Sequence, residues 1–208
     1  MLLIFDLDGT LFQAKPVYLY ADRRLLREMG VPEPDERTIL INAAQGVDAF
    51  LRNTLPADAD LRVARARLLE LVRDTILERG ELFPGAREAV TQLHSEGHEL
   101  VICSHSPEEY VETVLEHTGI ISLFARYVST EFYPSKAEFV RELIKPSRSA
   151  VVIGDTHGDI EAAHNNGLPA IAATYGYGNK AMLAAAEHFA DTPMDIVKCV
   201  HERMSIIS

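Results

Sequence analysis

The chain opens Met1-Leu-Leu-Ile-Phe-Asp6-Leu-Asp8-Gly9-Thr10, and this stretch constrains the rest most strongly. A continuous apolar run closed by a glycine reads as a strand buried on both faces that ends in a tight turn. Residues two apart on a strand share a face, so Asp6 and Asp8 emerge together at its carboxyl end. In open parallel sheets ligands bind at that end. Two adjacent carboxylates repel each other and are costly to bury unless a cation or a proton separates them. A divalent metal held beside a nucleophile and a proton donor accounts for the pair. Paired aspartates also serve as turn formers or helix caps, which is the plainer reading. An Asp-x-Asp-Gly run can open a calcium loop as well, but Leu11 and Phe12 follow here instead of further oxygen ligands.

The 208 residues suit one domain, or one domain with an insertion. Hydrophobic residues make up 47% of the chain, enough for a sizeable core. The amino-terminal stretch has no basic region and too few apolar residues for a signal peptide or a membrane span, so a soluble cytoplasmic protein is expected. Cys103 and Cys199 form no disulfide framework and read as inert core thiols. A net charge of -11 argues against a nucleic-acid surface. That charge is uneven. Residues 13–84 hold eleven basic against twelve acidic side chains and ten of the fifteen arginines, while nine against nineteen fall elsewhere. Two structural units are implied.

Within 13–84 the apolar spacing is helical throughout. Tyr18, Ala21, Leu25 and Met29 share one face, with Gly30 placed to end the helix. A less regular helical stretch covers 36–54, and a third helix runs from Asp60 to Glu78, with Leu61 to Ile76 as its apolar positions and Gly80 as the stop. From Phe83-Pro-Gly85 helix and strand alternate. Strands are predicted at 99–103, near 127–129, at 150–155 and at 169–173. Helices are predicted at 86–96, after Ser106-Pro107, at 136–144, 159–165, 180–187 and 193–204. Ser106 reads as a helix cap there. Such alternation predicts an α/β fold, a doubly wound parallel sheet with an inserted all-helical segment. The boundaries are 1–12 with 85–208 for the core and 13–84 for the insertion.

The buried strands end in polar residues: Asp6 and Asp8, then Ser104, then Asp155 with Asp159 close behind. Lys136 lies at a loop-to-helix junction between the last two. Taken singly, Ser104 reads as a polar strand terminus, Lys136 as a solvated first-turn residue, and Asp159 as an acid favoured by a helix start. Taken together they form a pattern. Asp6-Leu-Asp-Gly-Thr-Leu, Ser104, Lys136 and Gly154-Asp-Thr-His-Gly-Asp159 resemble the four motifs of the haloacid dehalogenase-like superfamily. Gly154 to Gly178, closing Thr-Tyr-Gly-Tyr-Gly, is similar to the phosphoglycolate phosphatase and β-phosphoglucomutase branch. The resemblance spans the chain, since that branch carries a helical cap directly after the first motif. It departs at His105, where many relatives have a smaller polar residue, and around Lys136, where Lys145 is the fallback.

The resemblance implies a Rossmann-like core and a Mg²⁺-dependent phosphatase acting on a small phosphorylated metabolite. Asp6 would be the nucleophile that carries an aspartyl-phosphate, and Asp8 the acid and then the base. Asp6, Asp8 (through its main-chain carbonyl) and Asp155 would hold Mg²⁺, with Asp159 ordering the surrounding shell. Ser104, the amide of His105 and Lys136 would hold the phosphoryl group. Neither a nucleic-acid nor a membrane partner is expected, and the protein would be a monomer or a homodimer. Asp8 argues against a dehalogenase, whose departing halide needs no proton. Lys15, the one lysine of the helical segment, sits at the hinge and argues against a Schiff-base phosphonate hydrolase. A β-phosphoglucomutase-like phosphotransferase shares every core motif, and a non-catalytic scaffold is the remaining alternative. Arg23, Arg24, Arg37 and Arg52 are candidates for a second anionic group of the substrate. The eight histidines show no zinc-ligand spacing.

Overall fold

Leu2–Phe5 is β1, and all four of its side chains are at most 1% exposed. It is the central strand of a sheet that the computed structural model builds from parallel neighbours on both sides. The structure describes residues 1–43, 46–129, 133, 135–144 and 149–207. The other strands are β2 (Glu99–Ser104), β3 (Arg126–Ser129), β4 (Ala150–Gly154), β5 (Ala170–Ala173) and β6 (His188–Ala190). Their order is β3-β2-β1-β4-β5-β6, and every pairing is parallel. β1 therefore pairs with β2 on one side and β4 on the other, with Phe5 level with both Ile102 and Ile153. The chain winds outward from β1 in two directions, so the strand order reverses at β1. That reversal is where an open α/β sheet leaves a crevice at its carboxyl edge.

The chain divides into two compact units, Met1–Gln13 with Glu81–Ser208, and Ala14–Gly80. In the first unit the crossover helices are α5 (Ala86–Ser95), α6 (Glu108–His117), α7 (Lys136–Leu143), α8 (His157–His164) and α9 (Lys180–Leu183), and α10 (Pro193–Ile207) follows the last strand. Leu2, Ile4, Val101, Cys103, Ala150 and Val152 form one buried cluster with Phe139 of α7 and Ile160 of α8. The alternate residue Phe5 points the other way and meets Phe124 edge-on at 6.2 Å between ring centroids. Both faces of the sheet are thus apolar, which is why β1 reads as an unbroken hydrophobic run.

The second unit contains only α1 (Ala14–Glu28), α2 (Glu36–Ala43), α3 (Val47–Thr54) and α4 (Leu61–Arg79) among its described residues. Ala21, Leu25 and Leu26 of α1 and Ala64, Leu68, Leu71 and Ile76 of α4 are buried. Asp60 caps α4, its Oδ1 accepting from the amides of Arg62 at 3.0 Å and Val63 at 3.1 Å. Arg23 pairs with Glu33 and Glu36, and Arg24 with Glu28, so these two arginines are engaged within the unit, while Arg37 and Arg52 are exposed.

The structure departs from the sequence reading in several places. The stretch 36–54 is two helices, α2 and α3. Residue 29, expected on the apolar face, is 38% exposed beyond the end of α1. β6 was not anticipated, because three residues with Phe189 49% exposed carry no strand period and pair only with β5. α8 begins at His157, two residues before the expected start, because Thr156 and Asp159 close a capping box. Lys145, the alternative to Lys136, lies outside the described residues.

Candidate active site

The carboxyl edge of β1, β2 and β4 gathers the polar residues that the sequence singled out. Asp6 directly follows β1 and is 6% exposed, its amide donating to the Ile153 carbonyl at 2.8 Å. Asp155 directly follows β4 and is fully buried, and Asp159, in the first turn of α8, is 1% exposed. One ligand atom from each of Asp6, Asp155 and Asp159 lies within 4.8 Å of the others. Lys136, the first residue of α7, is 6% exposed, and its Nζ donates to Oδ1 of Asp6 and Oδ1 of Asp159, both at 2.6 Å. The plain reading of Lys136 as a solvated first-turn residue is therefore wrong. Ser135 caps α7 through the amide of Glu138 and sets the first turn from which Lys136 reaches inward.

Each buried group is fixed by its own neighbours. Asp155 accepts from Thr10 Oγ1 at 3.3 Å on one oxygen and from the Tyr177 amide at 2.6 Å on the other. Asp159 Oδ2 accepts from the Thr156 amide at 3.0 Å and its hydroxyl at 2.6 Å, so its capping role and its place in the cluster coexist. Ser104, the last residue of β2, is 2% exposed, and its Oγ accepts from the Ser106 amide at 3.1 Å. His105 is exposed beside it. Asp8 stands apart from the triad: Oδ2 accepts from Ser106 Oγ and Oδ1 from Tyr110 OH, both at 2.8 Å.

The electrostatics follow from burial. Three carboxylates share a buried site with one ammonium. Burial pushes the Asp6 carboxyl well above the ordinary range, and Lys136 opposes that while Asp159 and Asp155 add to it. Burial also raises Asp155, against the pull of the Tyr177 amide. Burial disfavours the Lys136 ammonium, but Asp159 and Asp6 outweigh it and hold its proton more tightly than usual. Asp8 is pushed up to about 6 by burial, with the Ser106 and Tyr110 hydroxyls pulling the other way. The triad is thus short of positive charge and consists of hard oxygen donors, the chemistry that suits Mg²⁺.

The backbone is shaped around Asp155. Gly9 has φ 88°, and a Cβ there would overlap the Asp155 carboxylate. A Cβ on Gly176 would overlap the Asp155 side chain and the Gly9 carbonyl. Tyr175 ties that loop down, its hydroxyl donating to the Thr10 carbonyl at 2.6 Å while its ring meets Phe83 at 5.1 Å. Thr10, Ser106, Tyr110, Gly176 and Tyr177 were not picked out by the sequence reading as support for the site. The Thr-Tyr-Gly-Tyr-Gly run was the one signal that could have pointed to the last two.

A family model described as haloacid dehalogenase-like hydrolase matches residues 3–173. The chain belongs to that hydrolase family. A phosphoglycolate phosphatase of Vibrio vulnificus is 28% identical over 203 residues, covering 89% of each chain. Among solved structures, a predicted phosphoglycolate phosphatase of Haemophilus somnus superposes with a TM-score of 0.83 at 22% identity, over 96% of this chain and 97% of that one. A Thermotoga maritima structure ascribed to β-phosphoglucomutase gives 0.79 at 23% identity, over 97% and 98%. These two likenesses bear on the fold, which is that of the haloacid dehalogenase-like α/β core. This hydrolase has no helix among its described residues long and apolar enough to cross a membrane.

Proposed function

We propose that the chain is a Mg²⁺-dependent phosphatase that hydrolyses a small phosphomonoester through an aspartyl-phosphate, with phosphoglycolate the leading substrate. The observation that carries the reading is the buried triad Asp6, Asp155 and Asp159 with the Lys136 ammonium between two of its members. The names of the curated relatives support the substrate class, and the carboxylate donor set fits a hard divalent cation.

Asp6, the Asp8 main-chain carbonyl and Asp155 would hold the metal, with Asp159 ordering its shell. When bound, Mg²⁺ supplies positive charge that offsets repulsion between the triad and an anionic substrate. Asp6 attacks phosphorus, forming an O–P bond as the ester O–P bond breaks. Asp8 delivers its proton to the departing alkoxide. Ser104, the His105 amide and Lys136 hold the phosphoryl oxygens as charge spreads over them. In the second half Asp8, now ionised, takes a proton from the water that attacks the aspartyl-phosphate. Asp6 is regenerated and inorganic phosphate released. Residues 1–12 with 85–208 form the catalytic core in this reading, and 13–84 form a cap that selects the substrate.

The test is a substrate panel with and without Mg²⁺: phosphoglycolate, sugar phosphates, nucleotides, pyrophosphate, and β-glucose 1-phosphate with a bisphosphate primer. Metal-dependent release of phosphate from a small monoester supports the reading. Phosphate release that persists in excess chelator contradicts it, and isomerisation of glucose phosphate in preference to hydrolysis would assign the mutase activity instead.

A further inference from the structure

Tyr110 and Ser106 reach Asp8 from a part of the chain about a hundred residues away and take one carboxylate oxygen each. Ser106 Oγ donates to Oδ2 and Tyr110 OH to Oδ1, both at 2.8 Å. A single bond would leave the carboxylate free to turn about its own axis, whereas two bonds on two oxygens fix that angle. Both donors are themselves anchored. The amide of Ser106 donates to Ser104 Oγ at 3.1 Å, which ties it to the end of β2. Tyr110 lies in the first turn of α6, is 9% exposed, and packs edge-on against Phe12 at 6.5 Å with the rings 79° apart. Phe12 also holds the Asp8 turn from the main-chain side, its carbonyl accepting from the Gly9 amide at 3.0 Å. Asp8 is therefore gripped at its backbone by Phe12 and at its carboxylate by a tyrosine that leans on Phe12.

The chemistry of the donors matters. A lysine or arginine in their place would hold Asp8 as a carboxylate only. Serine and tyrosine hydroxyls both donate and accept, so each can reverse its bond when Asp8 carries a proton. The arrangement suits a group that must point the same way in both protonation states. Ser106 does not cap α6: Pro107 precedes the helix and no side chain caps it, which leaves the serine hydroxyl for Asp8.

We infer that Tyr110, with Ser106, is a positioning residue that aims the Asp8 carboxylate at the leaving-group oxygen. The inference rests on the reading of Asp8 as the proton donor. A hydroxyl that only satisfies a buried carboxylate contributes to folding and leaves no mark on leaving-group dependence. One that aims a proton donor contributes most where the leaving group needs that proton.

The experiment measures single-turnover phosphoenzyme formation by Tyr110→Phe, Ser106→Ala and Asp8→Asn with an alkyl phosphate and with p-nitrophenyl phosphate. Tyr110→Phe keeps the ring on Phe12 and removes only the hydroxyl, and Ser106→Ala gives an independent variant should the first fold poorly. Each hydroxyl variant should lose on the order of 10-fold on the alkyl substrate, part of the ~10²–10⁴-fold contribution of a general acid, and little on the aryl one. KM should be unchanged, and Tyr110→Phe added to Asp8→Asn should lose nothing further on the alkyl substrate. If Asp8→Asn discriminates between the substrates and both hydroxyl variants do not, the positioning role is overturned while the proton donor stands. If Asp8→Asn loses the same factor on both substrates, the proton-donor reading fails and the positioning role falls with it.

Discussion

Lys136 Nζ lies 2.6 Å from Asp6 Oδ1, a buried ion pair at the amino end of α7 and the carboxyl end of β1. The same nitrogen is shared with Asp159 at the same distance. A cation placed there opposes the burial, and the smaller carboxylate repulsion, that push Asp6 and Asp155 toward the protonated form, and it also competes with any metal for the same carboxylates.

Two consequences are measurable for Lys136→Met. Breaking one side of a buried ion pair typically costs ~3–5 kcal/mol, so the metal-free variant should melt well below the parent. Mg²⁺ should raise Tm in the parent and raise it further in the variant, since a ligand of the native state stabilises it more the tighter it binds, with the logarithm of [Mg²⁺]/Kd. Thermal melts in chelator and in millimolar Mg²⁺ check both. Equal metal-induced shifts in the two proteins would show that Lys136 and the metal do not share the site.

Gly176→Ala should act through Asp155. The added methyl has no space between the Asp155 side chain and the Gly9 carbonyl, so the Tyr177 amide must leave its 2.6 Å bond to Asp155. Loss of a group that orients a metal ligand typically costs ~10–100-fold in affinity. Mg²⁺ titration by calorimetry should show a weakening of that order, with near-parental circular dichroism.

Asp22 gives a pH dependence that belongs to the helical unit alone. It is 2% exposed on α1, its Oδ2 has no hydrogen-bond partner among the described residues, and burial raises its pKa from 3.8 to about 7. The folded state therefore binds a proton that the unfolded state releases between those values. Stability attributable to Asp22 is intact below pH 4 and declines as pH rises toward 7, by roughly 4 kcal/mol in all. Asp22→Asn mimics the protonated form, so it should flatten that slope and stabilise the protein at pH 8. Urea midpoints at pH 5 and pH 8 test it, and an unchanged slope in the variant would mean that Asp22 is not the group responsible.

Much of the fold and site was legible because strand ends concentrate chemistry. The unbroken apolar runs Leu2–Phe5 and Ala150–Ile153 mark strands covered on both faces, and the first acid after each run is a member of the triad. Asp159 was legible through its spacing from Asp155, and the helical character of 13–84 through its apolar period. What stayed hidden depends on long-range approach. Tyr110 sits among Val111, Val114 and Leu115 and reads as one more apolar position of a helix face, because only the folded chain shows its hydroxyl meeting Asp8. Ser106 before Pro107 has the local chemistry of a cap, and the competing acceptor is Asp8, far away in sequence. Gly176 looks like turn punctuation until Asp155 and Gly9 close around it. β6 is too short to show a period at all.

The central claim is that Asp6 forms the covalent bond while Asp8 moves the proton, although both are carboxylates at one strand end. Single-turnover trapping of phosphoenzyme from an alkyl and an aryl phosphate, with Asp6→Asn and Asp8→Asn compared to the parent, tests it most directly. Asp6→Asn should form no phosphoenzyme from either substrate. Asp8→Asn should lose ~10²–10⁴-fold with the alkyl phosphate, much less with the aryl phosphate, and should accumulate phosphoenzyme from the latter because water activation is also impaired. Phosphoenzyme formed by Asp6→Asn, or equal losses for the two variants on both substrates, would contradict the account.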